Sequence, residues 1–278
     1  MLVLTKTEEV TTHLRNWDDF HIAMVPTMGA LHDGHLQLVK EAKSLGYSVL
    51  VSIFVNPRQF NNPEDLAKYP KTLDQDLALL STVNADWVFV PEYEEIYSNN
   101  FEDIELNING LDNVFEGSFR PGHFDGVIQV LYRFFKIVNP EAVFFGQKDL
   151  QQCMVVRCLI NAFFPNMKFF QVETIRNDFG LALSSRNQRL SPGGLLAATS
   201  IFKAMTALKD HRKNYLEALR FATSILTNAG IEIEYFNWIE LPNMNVLDEN
   251  SIDVNTHQAI VFAGYLEGVR LIDNLVFD

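Results

Sequence analysis

The strongest constraint on this chain is a rhythm in its first two thirds. Short, almost wholly apolar runs recur, each followed by a stretch whose apolar residues return every three or four positions. A run with no polar face suits a strand covered on both sides, and a helix between two such strands is the crossover that a parallel sheet requires. Strands are predicted at 22–25, 48–54, 87–90, 142–145 and 169–172. Leu38, Val39, Ala42 and Leu45 lie at helical spacing over 34–45, ahead of Gly46, a residue suited to leaving a helix. Further helices are predicted over 126–138 and 149–163. Beyond residue 190 the rhythm changes to helices at 193–208 and 215–228, followed by strand-like segments at 231–241, 258–263 and 269–275. Helices followed by strands, without alternation, predict a smaller α+β domain. The reading is therefore an α/β fold in two domains, 1–174 and 175–278.

Composition limits what such a chain does. With 278 residues it can bury a core that needs no disulfide or metal staple. A net charge of −13 opposes binding to nucleic acid or to an anionic membrane. There is no run of 18 apolar residues and no charged-then-apolar leader, so the expected location is the cytoplasm. Cys153 and Cys158 fall on different faces of one predicted helix and read as packing residues. An anionic substrate remains compatible with this charge only where Lys, Arg and helix N-termini are concentrated locally.

Four motifs meet that condition together. Met28-Gly29-Ala30-Leu31-His32-Asp33-Gly34-His35 spans the end of the first predicted strand and the start of a helix, the place where ligands of open α/β sheets bind. Gly29 and Gly34 allow close approach of the backbone, and N–H groups at a helix start attract anionic oxygens. The two histidines, if helical, share a face and can donate to one phosphate chain; a capping His beside a packed one is the plainer alternative. Zinc is disfavoured, because it needs three or four ligands and only Asp33 is nearby. Gly146-Gln147-Lys148-Asp149 with Gln152 marks a second strand-to-helix junction, which is also what a capped surface helix would show. Leu183-Ser184-Ser185-Arg186 offers several donors to a phosphate, or is an ordinary polar loop. Gln59, after an apolar run, suits a small polyol or hydroxy acid; Pro26, Met28 and Phe60 either wall a pocket beside it or belong to the core. Arg120 and His123 lie in a turn-rich stretch and read as solvated. Asp74 and Asp76, spaced along a helical stretch, either contribute to a Mg²⁺ site or, as is usual for such residues, face solvent; the solvent-facing reading is taken.

In their order along the chain these blocks, with Phe54-Val55-Asn56-Pro57 and Arg120-Pro121-Gly122-His123-Phe124, resemble the pantothenate synthetase family of the HIGH-motif nucleotidyltransferase superfamily. The resemblance implies a Rossmann-like doubly wound sheet with a small C-terminal domain covering the site. It implies condensation of pantoate with β-alanine, with ATP as substrate and Mg²⁺, through a pantoyl adenylate, releasing AMP and pyrophosphate. Met28, Gly29, Ala30, Leu31, His32, Asp33, Gly34, His35, Gly146, Gln147, Lys148, Asp149, Ile175, Leu183, Ser184, Ser185 and Arg186 would line the ATP site. Gln59 and Gln152 would hold pantoate. His35, His32, Lys148, Ser184, Ser185 and Arg186 would act on the reacting phosphates. A homodimer is implied on the same ground. Gln147 stands where the family usually has Glu, and Arg58 where it has a smaller residue. The competing readings are a nucleotidyltransferase that leaves AMP on a phosphate acceptor, and a non-catalytic nucleotide- or metal-binding module.

Overall fold

A computed structural model describes residues 1–15, 21–97, 102–211, 214–249 and 256–277. By its contacts the chain forms two compact units, one of Met1–Gly146 with Gln151–Glu173, the other of Gln147–Leu150 with Thr174–Asp278.

The first unit contains strands β1 (Leu2–Leu4), β2 (Ile22–Thr27), β3 (Ser48–Ile53), β4 (Trp87–Phe89), β5 (Ala142–Gly146) and β6 (Lys168–Val172). They form one sheet in the order β1-β4-β3-β2-β5-β6, with every pairing parallel. This is the doubly wound arrangement. Successive strands move outward from β2 to β3 and β4, then return to its other side with β5 and β6. The order therefore reverses between β2 and β5, the switch point at which open α/β sheets leave a crevice beyond their strand ends. The interior strands are apolar on both faces because helices cover both; Val25, Val49, Val51, Val88 and Phe144 are buried with Leu38, Val39 and Leu80. Strand β1 escapes the sequence reading because it is three residues long and at the edge, where Leu2 and Val3 stay exposed.

The second unit contains β7 (Glu232–Glu240), β8 (Asn245–Val246), β9 (Gln258–Leu266) and β10 (Val269–Phe277), an antiparallel sheet in the order β10-β9-β7-β8. One face packs on the helices Ser200–Asp210 and Tyr215–Asn228 through Met205, Leu208, Ala222, Trp238, Ile260 and Phe262. The single helix predicted over 193–208 is two, Pro192–Ala198 and Ser200–Asp210. The break is at Thr199, whose N–H and hydroxyl both bond the carbonyl of Leu196, three residues back, at 3.2 and 2.7 Å. Tightening to the i−3 carbonyl interrupts the α-helical ladder there.

One close approach in the first unit shapes the surroundings of Gln59. The helix His123–Val138 lies against the 3-10 turn Pro57–Gln59, and Gly126 makes this possible: a Cβ there would stand 2.3 Å from the Arg58 carbonyl oxygen and 2.6 Å from the Gln59 nitrogen. Backbone cannot yield as a side-chain tip can. Gly126→Ala is expected to cost about 1–3 kcal/mol, the usual range for overpacking, measured as a lower urea midpoint.

Candidate active site

In the first unit the loop after β2 carries the histidine motif, and its shape is set from outside. Gly29 and Ala30 both have positive φ, 78° and 49°. For Ala this is an unfavourable conformation that needs support. The support is Asp76, buried in the helix Leu73–Thr82, whose carboxylate accepts from the N–H of Ala30 at 3.0 Å and of Leu31 at 2.8 Å. Thr72 donates its hydroxyl to both oxygens of the same carboxylate at 3.2 Å. Successive left-handed residues turn their N–H groups to one side and make an anion-binding concavity; here the anion is built into the chain. Gly29 is required because a Cβ would sit 3.0 Å from Asp76 Oδ2. The solvent-facing reading of Asp76 is thus corrected. Asp76, Leu80 and Val83 share the buried face at spacings of four and three, so an acidic residue on an apolar stripe was the available signal. Asp74, off that stripe, is exposed.

The helix begins at Asp33, and His32 is its N-cap with extended backbone. Its Nδ1 accepts from the Gly34 N–H at 3.2 Å, while His35 Nδ1 accepts from the His32 N–H at 3.4 Å. This is a capping box built from two histidines, with rings 4.1 Å apart. An Nδ1 that accepts carries no proton, so each ring's proton is on Nε2. Capping and ligand binding are therefore compatible in the same residues. The expectation that backbone N–H groups of this loop greet an anion is revised. Those of Gly29, Ala30, Leu31, His32, Gly34 and His35 already bond Thr27, Asp76, the two imidazoles and the His32 carbonyl. The donors suited to a ligand oxygen are the Nε2–H groups.

Gln59, in the loop after β3, is buried and held from several sides. Asn56 Nδ2 donates to Gln59 Oε1 at 3.2 Å and to the Gly126 carbonyl at 2.9 Å, and Asn56 Oδ1 accepts from Tyr97 Oη at 2.9 Å. His123 Nδ1 donates to the Gln59 carbonyl at 2.8 Å. His123 is buried at the first turn of its helix rather than solvated in a loop. With Oε1 engaged, Gln59 presents Nε2, which lies 2.9 Å from Met28 Sδ. The contact with Met28 is one of the two alternatives that the sequence left open, whereas Asn56, Tyr97 and His123 went unread as supports. Arg58 turns away, stacking 4.0 Å from the Tyr97 ring centroid and donating to Asp103, so its size does not intrude on Gln59.

At the end of β5, a Cβ on Gly146 would meet nothing within 4 Å, which is the open approach expected there. In the helix Leu150–Phe163 it is Gln151, not Gln152, that is buried and structural: its amide donates to the carbonyls of Leu111 and Val114 and accepts from the Glu116 N–H. Gln152 is half-buried and makes no side-chain hydrogen bond among the described residues. The two glutamines are distinguished by their partners, which the sequence does not display.

The second unit carries the remaining predicted groups. Ile175 and Leu183 face each other at the base of a hairpin, where the Leu183 N–H bonds the Ile175 carbonyl at 3.0 Å. That pairing delivers the chain into the 3-10 turn Ser185–Arg189, with Ser184 as N-cap accepting from the Arg186 N–H at 3.3 Å. Ser185 is buried and Arg186 half-buried. Lys148 and Asp149 lie in the 3-10 turn Gln147–Asp149, also part of this unit. The Lys148 ammonium is 3.8 Å from Asp149 Oδ1, too far for a hydrogen bond, and its side chain is 17% exposed.

A family model described as pantoate-β-alanine ligase matches residues 2–276. The pantothenate synthetase of Cytophaga hutchinsonii is 38% identical over 283 aligned positions, covering 99% of each chain. The pantoate–β-alanine ligase of Schizosaccharomyces pombe is 37% identical over 282, covering 99% of this chain and 98% of its own. Among solved structures, the pantothenate synthetase of Thermus thermophilus superposes with a TM-score of 0.91 at 35% identity, covering 99% of both chains. The pantoate-β-alanine ligase of Francisella tularensis, solved with β-γ ATP and β-alanine, gives 0.83 at 35% identity, covering 99% of this chain and 97% of its own. A family match spanning nearly every residue, on a fold whose loop at the switch point carries the histidine motif, leaves one conclusion: the chain belongs to the pantoate–β-alanine ligase family.

Proposed function

We propose that the chain condenses pantoate with β-alanine in two steps, using ATP and passing through pantoyl adenylate. The observation that carries the residue assignments is the double-histidine cap. It puts two ring N–H donors side by side at the start of a helix that begins at the switch point.

In the first step the pantoate carboxylate attacks the α-phosphorus of ATP in line, and negative charge grows on the departing pyrophosphate. His32 and His35 are assigned to donate from Nε2 to phosphate oxygens, while Lys148, Ser184, Ser185 and Arg186 supply positive charge and further donors. Met28, Gly29, Ala30, Leu31, Asp33, Gly34, Gly146, Gln147, Asp149, Ile175 and Leu183 are assigned to the nucleotide as its surroundings. Gln59 and Gln152 bind pantoate: Gln59 with its oriented Nε2, Gln152 with a carboxamide that no described residue occupies. In the second step the β-alanine amine attacks the acyl carbon of the anhydride and AMP leaves. Positioning beside the amine and exclusion of water supply much of this step.

Among the described residues, no three His, Cys, Asp or Glu side chains gather as a metal site, and Asp76 is committed to Ala30 and Leu31. Mg²⁺ would come with the nucleotide and would supply positive charge to its phosphates. No described helix is long and apolar enough to cross a membrane. A cytoplasmic homodimer is the assembly carried by family resemblance, and sedimentation of the purified chain tests it.

Exchange of labelled pyrophosphate into ATP, dependent on pantoate and independent of β-alanine, is the expected signature; its absence with pantoate would refute the reading. His35→Ala and Lys148→Ala are each expected to fold and to lose roughly 10²-fold in exchange, the scale of removing one donor to transition-state charge. For Gln152→Ala the expected change is a raised pantoate KM at near-constant kcat, since binding is made equally in ground and transition states. Asp76→Ala leaves two buried N–H groups unpaired at about 1–3 kcal/mol each. It should lower the urea midpoint and, by displacing both histidines, cut exchange roughly tenfold or more; wild-type exchange from a destabilised Asp76→Ala would show that the loop does not set the histidines.

A further inference from the structure

The segment Gln147–Leu150 follows β5 along the chain yet belongs to the second unit. One side chain of that unit explains it. Asn274, on β10, is almost wholly buried, and its Nδ2 lies 2.9 Å from the carbonyl oxygen of Gln147 and 2.9 Å from that of Lys148. Two facing carbonyls can be satisfied only by donors, which fixes the orientation of the carboxamide. Its own Oδ1 is buried without a hydrogen-bond partner among the described residues. An unpaired buried oxygen is costly, and the two carbonyls held by Nδ2 offset that cost.

Asn274 is itself clamped. Its N–H donates to Asp273 Oδ1 at 2.7 Å, and its carbonyl accepts from Arg176 Nη2 at 3.0 Å. Arg176 also donates to the two Asp273 oxygens at 2.6 and 2.9 Å. Burial pushes the Asp273 carboxyl up, and the Arg176 guanidinium opposes that push. Lys148, in contrast, makes no side-chain hydrogen bond among the described residues; its nearest carboxylate oxygen is that of Asp149 at 3.8 Å, and its charge also acts on the Asp273 carboxylate. Its ammonium is placed by the backbone from which it extends, and that backbone is held by Asn274.

Resting on the assignment of Lys148 to phosphate oxygens, we propose that Asn274 is a positioning residue for adenylate formation, acting through the carbonyls of Gln147 and Lys148. The pantoate groups Gln59 and Gln152 belong to the other unit. Loss of the clasp should therefore alter turnover in the first half-reaction rather than pantoate binding.

The test is pantoate-dependent pyrophosphate exchange by the full chain as wild type, Asn274→Leu, Lys148→Ala and the double variant, with thermal unfolding of each. Asn274→Leu keeps the volume and removes the donors. It should lower exchange kcat roughly ten- to hundredfold, the scale of a misplaced reacting group. The pantoate KM should stay within about twofold, as binding independent of the clasp requires. The double variant should be no slower than Lys148→Ala, because a residue acting only through Lys148 has nothing left to position. Unchanged exchange in Asn274→Leu overturns the proposal. So does a double variant slowed by the product of the two single effects, which marks a general structural role. Wild-type exchange in Lys148→Ala overturns the assignment of Lys148 itself, whatever Asn274 does. Where Asn274→Leu does not fold, Asn274→Ser, able to donate to one carbonyl, should show an intermediate loss, and no loss overturns the proposal.

Discussion

A carboxylate with no solvent around it has to find donors, and Asp76 finds them in the backbone of the loop that follows β2. The left-handed turn at Gly29 and Ala30 is unfavourable alone, and the buried charge is unfavourable alone. Each removes the other's cost. The arrangement then sets the direction in which the chain leaves the turn, hence where His32 stands as N-cap, and hence the capping box that fixes both imidazole tautomers. Electrostatic stabilisation works only when donors are aimed before charge develops. On the proposed role of the two histidines, that aiming falls to one aspartate on a neighbouring helix, supported by Thr72.

The Gln59 side follows the same logic with neutral groups. Asn56 uses its carboxamide in four hydrogen bonds, to Gln59, the Gly126 carbonyl, the Arg58 N–H and the Tyr97 hydroxyl. Such a residue has one orientation, and it transmits that orientation to Gln59. Gly126 lets the helix His123–Val138 come close enough for its carbonyl to accept from Asn56 and for His123 to reach the Gln59 carbonyl. Packing and polar satisfaction are here one constraint: without the close approach, several buried polar groups would lose their partners.

The sheet and its order of elements were legible because apolar runs and helical spacing are local signals, and the parallel strands are buried deeply enough to lack a polar face. The strand β1 was too short for any periodicity to register, and the break at Thr199 depends on a hydroxyl choosing one carbonyl over another. The histidine motif and the Ser-Ser-Arg turn were readable as motifs. Their supports were not. Asp76 reads as surface until its partners in the loop after β2 are known, His123 reads as loop until Gln59 is beside it, and Gln151 and Gln152 are adjacent letters with opposite surroundings. Long-range hydrogen bonds leave no periodic trace in a sequence, so the groups that position a site are harder to read than the groups that touch a ligand.

The acidic composition raised a specific demand, that cations be concentrated where an anionic substrate binds. Several of the described cations are already matched. Arg58 and Arg133 meet Asp103, Arg176 meets Asp273, Arg270 meets Glu234, Lys43 meets Asp86 and Lys168 meets Glu141. A cation in contact with a carboxylate has little field left for a third party. Lys148 differs, being mostly buried with its nearest carboxylate oxygen at 3.8 Å. A half-buried ammonium that makes no hydrogen bond of its own among the described residues is suited to receiving an anionic oxygen. The clasp by Asn274 leaves one buried oxygen unpaired in order to hold two carbonyls. On the proposed assignment of Lys148 to phosphate oxygens, both features fall within the same few residues and serve to present its ammonium.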